Sequence, residues 1–185
     1  MLDPEDFIGP GKNAGPVGAR LSEDTIYQLI NSSIQSGKPL WLAWANLSGA
    51  KLGGANLSKA SLYRANLSGA DLRGTNLRHT NISWADLSSA DLNSADLFGA
   101  NLQHSNLRGA QIHDANLQYA QLEHADLEGA DILPGKWLNA RYNMFTRWPE
   151  DDSEYAFDPV AEGAKMEGLR ATVRRQWDRE EWSDD

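Results

Sequence analysis

A five-residue period constrains this chain more than any other feature. From Leu42 a branched aliphatic residue recurs at every fifth position to Ile132, nineteen times without a slip, always Leu except for Ile82, Ile112 and Ile132. Two residues before each centre stands Ala, Ser or Thr in 18 of the 19 units, the exception being Leu40. The residue just before the centre is Asn or Asp in 14 units, as in ANLSG at 45–49 and ADLFG at 95–99. Apolar residues spaced by five drift around a helix and alternate faces on a strand, so neither element accounts for the pattern. It closes if each unit is one side of a square and the chain turns by about 90° at each corner. Four units then form a coil of about 20 residues, and successive coils stack at ~4.8 Å. The fifth-position aliphatic points to the axis. The residue two before it also points inward, where space admits Ala but not Val.

The other unit positions follow from corner chemistry. Asn or Asp beside the centre predicts a side chain that accepts hydrogen bonds from nearby backbone. Gly two positions after the centre, at 49, 54, 69, 74, 99, 109 and 129, suits a corner with unusual backbone angles.

The tandem A(N/D)LXX units resemble the pentapeptide-repeat family over residues 40–134, about half the chain. That resemblance implies an all-β solenoid, a right-handed quadrilateral β-helix. Nineteen units at four per coil give about 4.75 coils. The family is a scaffold on which function must be argued from the surface.

Solenoid ends expose core and unpaired backbone, so they need caps. Ser22 suits a helix N-cap, Leu21 and Ile26 have hydrophobic-staple spacing, and Ile26, Leu29, Ile30 and Ile34 form one apolar stripe. With Gly37 and Pro39 as stop signals, residues 21–39 read as an N-terminal capping helix over the first coil. Residues 1–20, rich in Gly and Pro, read as a mobile tail. At the other end the period breaks at Pro134–Gly135. Residues 135–185 read as a C-terminal cap, partly helical and partly irregular. Its 137–166 stretch resembles the segment that follows the repeats in many cyanobacterial members, and Trp137, Tyr142, Phe145, Trp148 and Phe157 are expected to plug the last coil. A second helix is expected over 160–182, with Leu169, Val173 and Trp177 on one face. That face fits either a homodimer contact, together with Trp137 and Trp148, or a helix folded back on its own coil.

With four units per coil, residues 20 apart share a column. One face gathers Trp44, Arg64, Trp84, His104 and His124, with Trp41 and Tyr63 beside them. A Trp–Arg–Trp column at ~4.8 Å steps can stack, the guanidinium between two rings. These are also residue types enriched in binding hot spots. The face is therefore the candidate site for a protein partner, and self-packing of the column is the alternative. The remaining faces are plainer: small residues around Leu47, acids around Leu52, and Lys59, Arg78, His79 and Phe98 around Leu57.

Composition narrows the function classes. The chain has 185 residues, no cysteine, 17 Lys plus Arg and 26 Asp plus Glu, for a net charge of −9. That balance argues against direct nucleic-acid binding, and the missing cysteine excludes disulfides, a thiolate nucleophile and Cys-based metal sites. No apolar run approaches membrane-spanning length, and the N-terminus lacks the charge and apolar stretch of a secretory signal, so the expected location is cytoplasmic. His104 and His124 sit one coil step apart, but only Glu123 stands near as a third metal ligand. No metal site, cofactor or catalytic constellation is expected. The leading expectation is a non-catalytic interaction scaffold.

The family resemblance adds two alternatives, a DNA-mimic acting on gyrase and a regulator of cell differentiation or stress signalling. Members that protect or inhibit gyrase look like B-DNA in shape and charge. A rod of ~23 Å would then need on the order of 13 negative charges. Residues 40–135 hold nine acids and six bases. Those members also commonly place Phe at the centre, where every centre here is Leu or Ile.

Overall fold

The computed structural model describes residues 20–132, 136–149, 159–160 and 163–166. Its architecture is a solenoid in which parallel bridges join residues 20 apart, from Trp41↔Ser61 through Asn116↔Lys136 and Gln121↔Arg141. Each face makes the same bonds between coils. On one side the Leu67 N–H donates to the Asp86 carbonyl at 2.7 Å, the Asp86 N–H to the Ala65 carbonyl at 3.0 Å, and the Gly69 N–H to the Ser88 carbonyl at 2.8 Å. Side chains stack in columns because every backbone level is pinned to the next.

The centres are closed off from water. All 18 from Leu42 to Leu127 are 2 % exposed or less, and the inward Ala positions between them are buried as well, except Ala45 and Ala55 in the first coil, which are half-buried. Thr75 and Thr80 enter the inward row without an unpaired hydroxyl, because their Oγ1 atoms donate to the Leu52 and Leu57 carbonyls at 2.9 and 2.8 Å.

The corners show what the Asn/Asp and Gly positions do. In thirteen units the Asn or Asp side chain accepts the N–H two residues on, as Asn66 does from Ser68 at 3.0 Å and Asp86 from Ser88 at 3.0 Å. The turns are closed by bonds such as Ala70 N–H to the Leu67 carbonyl at 3.0 Å. Their second central residue has positive φ, a requirement shared with type II turns. Gly69, at φ 63°, meets it without a steric cost.

The N-terminal helix α1, Glu23–Ser36, begins at Ser22, whose side chain accepts the Thr25 N–H, and ends at Gly37 in a left-handed conformation. Ile26 and Ile30 are buried and Leu29 packs against the same core, whereas Ile34 is 58 % exposed. The apolar stripe is therefore one turn shorter than expected. Arg20 bridges Asn46, the Leu21 N–H donates to the Asn46 carbonyl at 3.1 Å, and the Tyr27 hydroxyl donates to the Lys51 carbonyl at 3.1 Å. Open backbone of the first coil is thereby covered by main chain on one face and by a helix side chain on the next.

Coil geometry runs past the end of the repeat. Lys136, Arg141 and Arg147 take their places in the bridge columns. Trp137 and Tyr142 stand at inward positions, 1 % and 6 % exposed, and Trp148 packs partly buried against the core. Larger centres fill the last level. The short strand β1, Arg141–Tyr142, belongs to this level, and the second short strand β2, Lys165–Met166, pairs with it in parallel. The tail expected over 1–20 lies outside the described residues except for Arg20, which is tied to Asn46, and Phe157 and the Leu169, Val173 and Trp177 face lie outside them too. Of the helix expected over 160–182 only 160 and 163–166 are described, and there Lys165–Met166 form strand β2 instead, because their backbone pairs with Arg141–Tyr142.

Candidate partner-binding face

The face through Leu42, Leu62, Ile82, Leu102 and Leu122 places its corner residues in one column, each at positive φ: Trp44 66°, Arg64 56°, Trp84 62°, His104 59° and His124 63°. No glycine occupies a corner here, although the neighbouring face uses Gly49, Gly69, Gly109 and Gly129. A side chain in this conformation costs about 1–2 kcal/mol.

The column is a continuous stack. The Arg64 guanidinium carbon lies 4.7 Å from the Trp44 ring centre and 5.4 Å from that of Trp84. Trp84 stacks on His104 at 4.2 Å and 10°, His104 on His124 at 4.5 Å and 13°, and His124 on Phe145 at 4.9 Å and 9°. Tyr63 joins from the side, edge-on to Trp44 at 6.0 Å and 5.4 Å from the Arg64 carbon. Trp41 is half-buried beside the stack, while Trp44 and Trp84 are 51 % and 50 % exposed. The α1 helix leaves half of Trp44 open.

Phe145 is the member that sequence reading missed, assigning it to the plug of the last coil. It is 59 % exposed and extends the stack by one level. The bridge Asp126↔Arg147 spans 21 residues instead of 20, so this corner contains one extra residue. Asn143 holds it by accepting the Phe145 N–H at 3.1 Å and the His124 N–H at 3.2 Å. An aromatic residue 21 positions after His124 was the available signal, hidden by the slip in register.

The family assignment rests on the repeat that builds this face. The Pentapeptide repeats family matches in eight copies over residues 42–78, 55–94 and 95–132. The chain belongs to the pentapeptide-repeat family. Among solved structures of such proteins, Rfr23 from the cyanobacterium Cyanothece 51142 is 39 % identical, with 53 % of this chain and 63 % of Rfr23 covered and a TM-score of 0.46. The chain thus spans under two thirds of that relative. The Nostoc PCC 7120 protein alr5209 is 29 % identical, with 76 % and 94 % covered and a TM-score of 0.48. HetL of the same Nostoc strain, described as involved in regulating heterocyst differentiation, is 29 % identical, with 69 % and 60 % covered and a TM-score of 0.34. No curated protein matches the chain.

On this pentapeptide-repeat face the chemistry of His104 and His124 is set by stacking. Desolvation between its neighbours, then the charge of His124, lowers the His104 pKa from the ordinary imidazole value, with Glu123 pulling the other way. A metal ion binds in the plane of an imidazole, and two planes only 13° apart and stacked at 4.5 Å do not converge on one ion. Glu123, the remaining acid in the column beside them, is buried at 7 %, paired with Arg141 at 3.0 Å and accepting from Gln103 Nε2 at 3.0 Å. Among the described residues no group of three or more His, Asp or Glu is placed to hold a metal.

On the other faces several charges pair with one another. Arg73 pairs with Asp71 at 2.7 Å, and its hydrogen bond lowers the Asp71 carboxyl to about 2. Arg78 pairs with Asp96, and Arg108 with Asp126 and Glu128. Phe98 is half-buried under Arg78 at 4.3 Å and against His79 and Tyr119.

Proposed function

We propose that this pentapeptide-repeat protein is a non-catalytic cytoplasmic scaffold that binds a partner protein through the Trp44–Phe145 face. The reading includes a right-handed quadrilateral β-helix of about 4.75 repeat coils, capped by α1 and by the chain after Pro134. One observation carries it: five successive corners hold Trp, Arg or His at positive φ, where Gly serves neighbouring columns at lower cost. The two tryptophans remain half-open after stacking, and Trp and Arg are the residue types most often found at interface hot spots.

The DNA-mimic alternative draws no comparable support. Asp71, Asp96, Asp126 and Glu128, which a phosphate-like array would leave unneutralised, are matched to Arg73, Arg78 and Arg108.

The test is affinity capture from the native lysate with wild type and with a Trp44→Ala/Arg64→Ala/Trp84→Ala variant, after both have matching circular dichroism. A partner lost only with the variant supports the reading. Identical capture by both proteins would assign the column to self-packing.

A further inference from the structure

Beyond the identity of the face, its geometry limits what it can recognise. The interior rings are stacked on both sides, so their flat surfaces are already occupied by each other at 4.2–4.9 Å. A base, a sugar ring or a ligand cation needs an open ring face and finds none between Trp84 and Phe145. Exposed area in such a stack is ring edge, and the aromatic quadrupole makes edges positive. Arg64 adds a full charge within the column, with no acidic partner among the described residues of this face. Its one acid, Glu123, is buried and satisfied by Arg141 and Gln103. In a chain of net charge −9, this face therefore presents positive edges and a guanidinium with no exposed carboxylate of its own.

We infer that the occupant is an acidic, extended segment of a partner protein, lying along the column with its carboxylates against Arg64 and the ring edges. The inference rests on the reading that this face binds a partner. Length agrees: five steps of ~4.8 Å span about 24 Å, the reach of about seven extended residues.

The test is fluorescence anisotropy at low salt, with the full chain and a labelled peptide of four Asp-Ala pairs. The same peptide with Lys for Asp is the comparison. Because the protein as a whole repels an acidic peptide, binding of that peptide reports the local face. Arg64→Gln and Lys51→Gln change net charge equally, and Lys51 lies on the opposite side of the coil. The expected result is saturable binding of the Asp peptide only, about tenfold weaker in Arg64→Gln, unchanged in Lys51→Gln, and lost when salt screens the contact. Equal binding of the two peptides overturns the inference, as does an equal loss in both variants. Concentration-dependent dimerisation abolished by Arg64→Gln also overturns it, because the occupant is then a second copy. If the triple-alanine variant loses a captured partner while the Asp peptide fails to bind, the face still binds a partner and only the acidic assignment falls.

Discussion

Truncating Leu87 tests whether the inward aliphatic column, not the surface stack, holds the rod together. Leu87 is fully buried, and Leu67 and Leu107 in the adjacent coils are as closed. At ~0.8 kcal/mol per carbon removed, Leu87→Ala loses about 2.4 kcal/mol in transfer alone. The cavity adds to this because the walls are pinned: the Leu87 N–H bonds the Asn106 carbonyl at 2.7 Å and the Leu67 N–H bonds the Asp86 carbonyl at 2.7 Å. A site that collapses poorly falls in the upper half of the ~2–5 kcal/mol range. Trp84→Ala removes a larger side chain but one half in water, losing a stack on His104 and a cation–π contact with Arg64. Those contacts sum to about 1–2.5 kcal/mol. Equilibrium urea unfolding measures both variants. The slope must be compared as well, because a mid-rod lesion in a solenoid can uncouple the two halves into separate transitions. A Trp84→Ala loss equal to or larger than that of Leu87→Ala would refute the argument that the interior dominates.

Three further measurements probe corners and charges. Gly99 and Gly109 share φ near 65°, but an added Cβ at Gly99 lies 2.6 Å from His79 Nδ1, while at Gly109 it meets only Ser89 Oγ at 3.6 Å. Gly99→Ala should therefore lower the melting temperature more than Gly109→Ala, and equal effects would mean that backbone strain alone sets the cost. The Asp71 carboxyl is lowered to about 2 by Arg73, so its contribution is present above the unfolded value of about 3.9 and is lost as pH falls toward 2. Asp71→Asn should flatten the acid limb of a stability–pH curve. His104 has a lowered pKa, so the unfolded chain takes up its proton first, and stability is lost as pH falls below about 6.5. His104→Phe keeps a ring in the stack and should weaken that loss, read as a smaller melting-temperature difference between about pH 5 and 7.

Much of this molecule follows from local spacing. The period of five with a buried aliphatic, the Asn/Asp side chains that bond the N–H two residues on, and Ser22 and Gly37 at the ends of α1 are each decided within a few residues. Column membership also follows, because a rigid 20-residue repeat turns sequence separation into position. That is why the Trp44–His124 column is legible in one dimension. Prediction fails where the register stops being uniform. The bridge of 21 residues that brings Phe145 onto His124 depends on a corner held by Asn143, whereas Trp137 and Tyr142, expected to plug the last coil, are buried there.

Chain spacing alone thus determined the coil, its filled axis and which side chains share a face. Tertiary structure decided how they meet: rings face to face, Glu123 closed off by Arg141 and Gln103, and Ile34 left exposed. The physical reason is range. Turn geometry and side-chain spacing act over a few covalent bonds, whereas ring orientation and burial depend on atoms a full coil away in sequence.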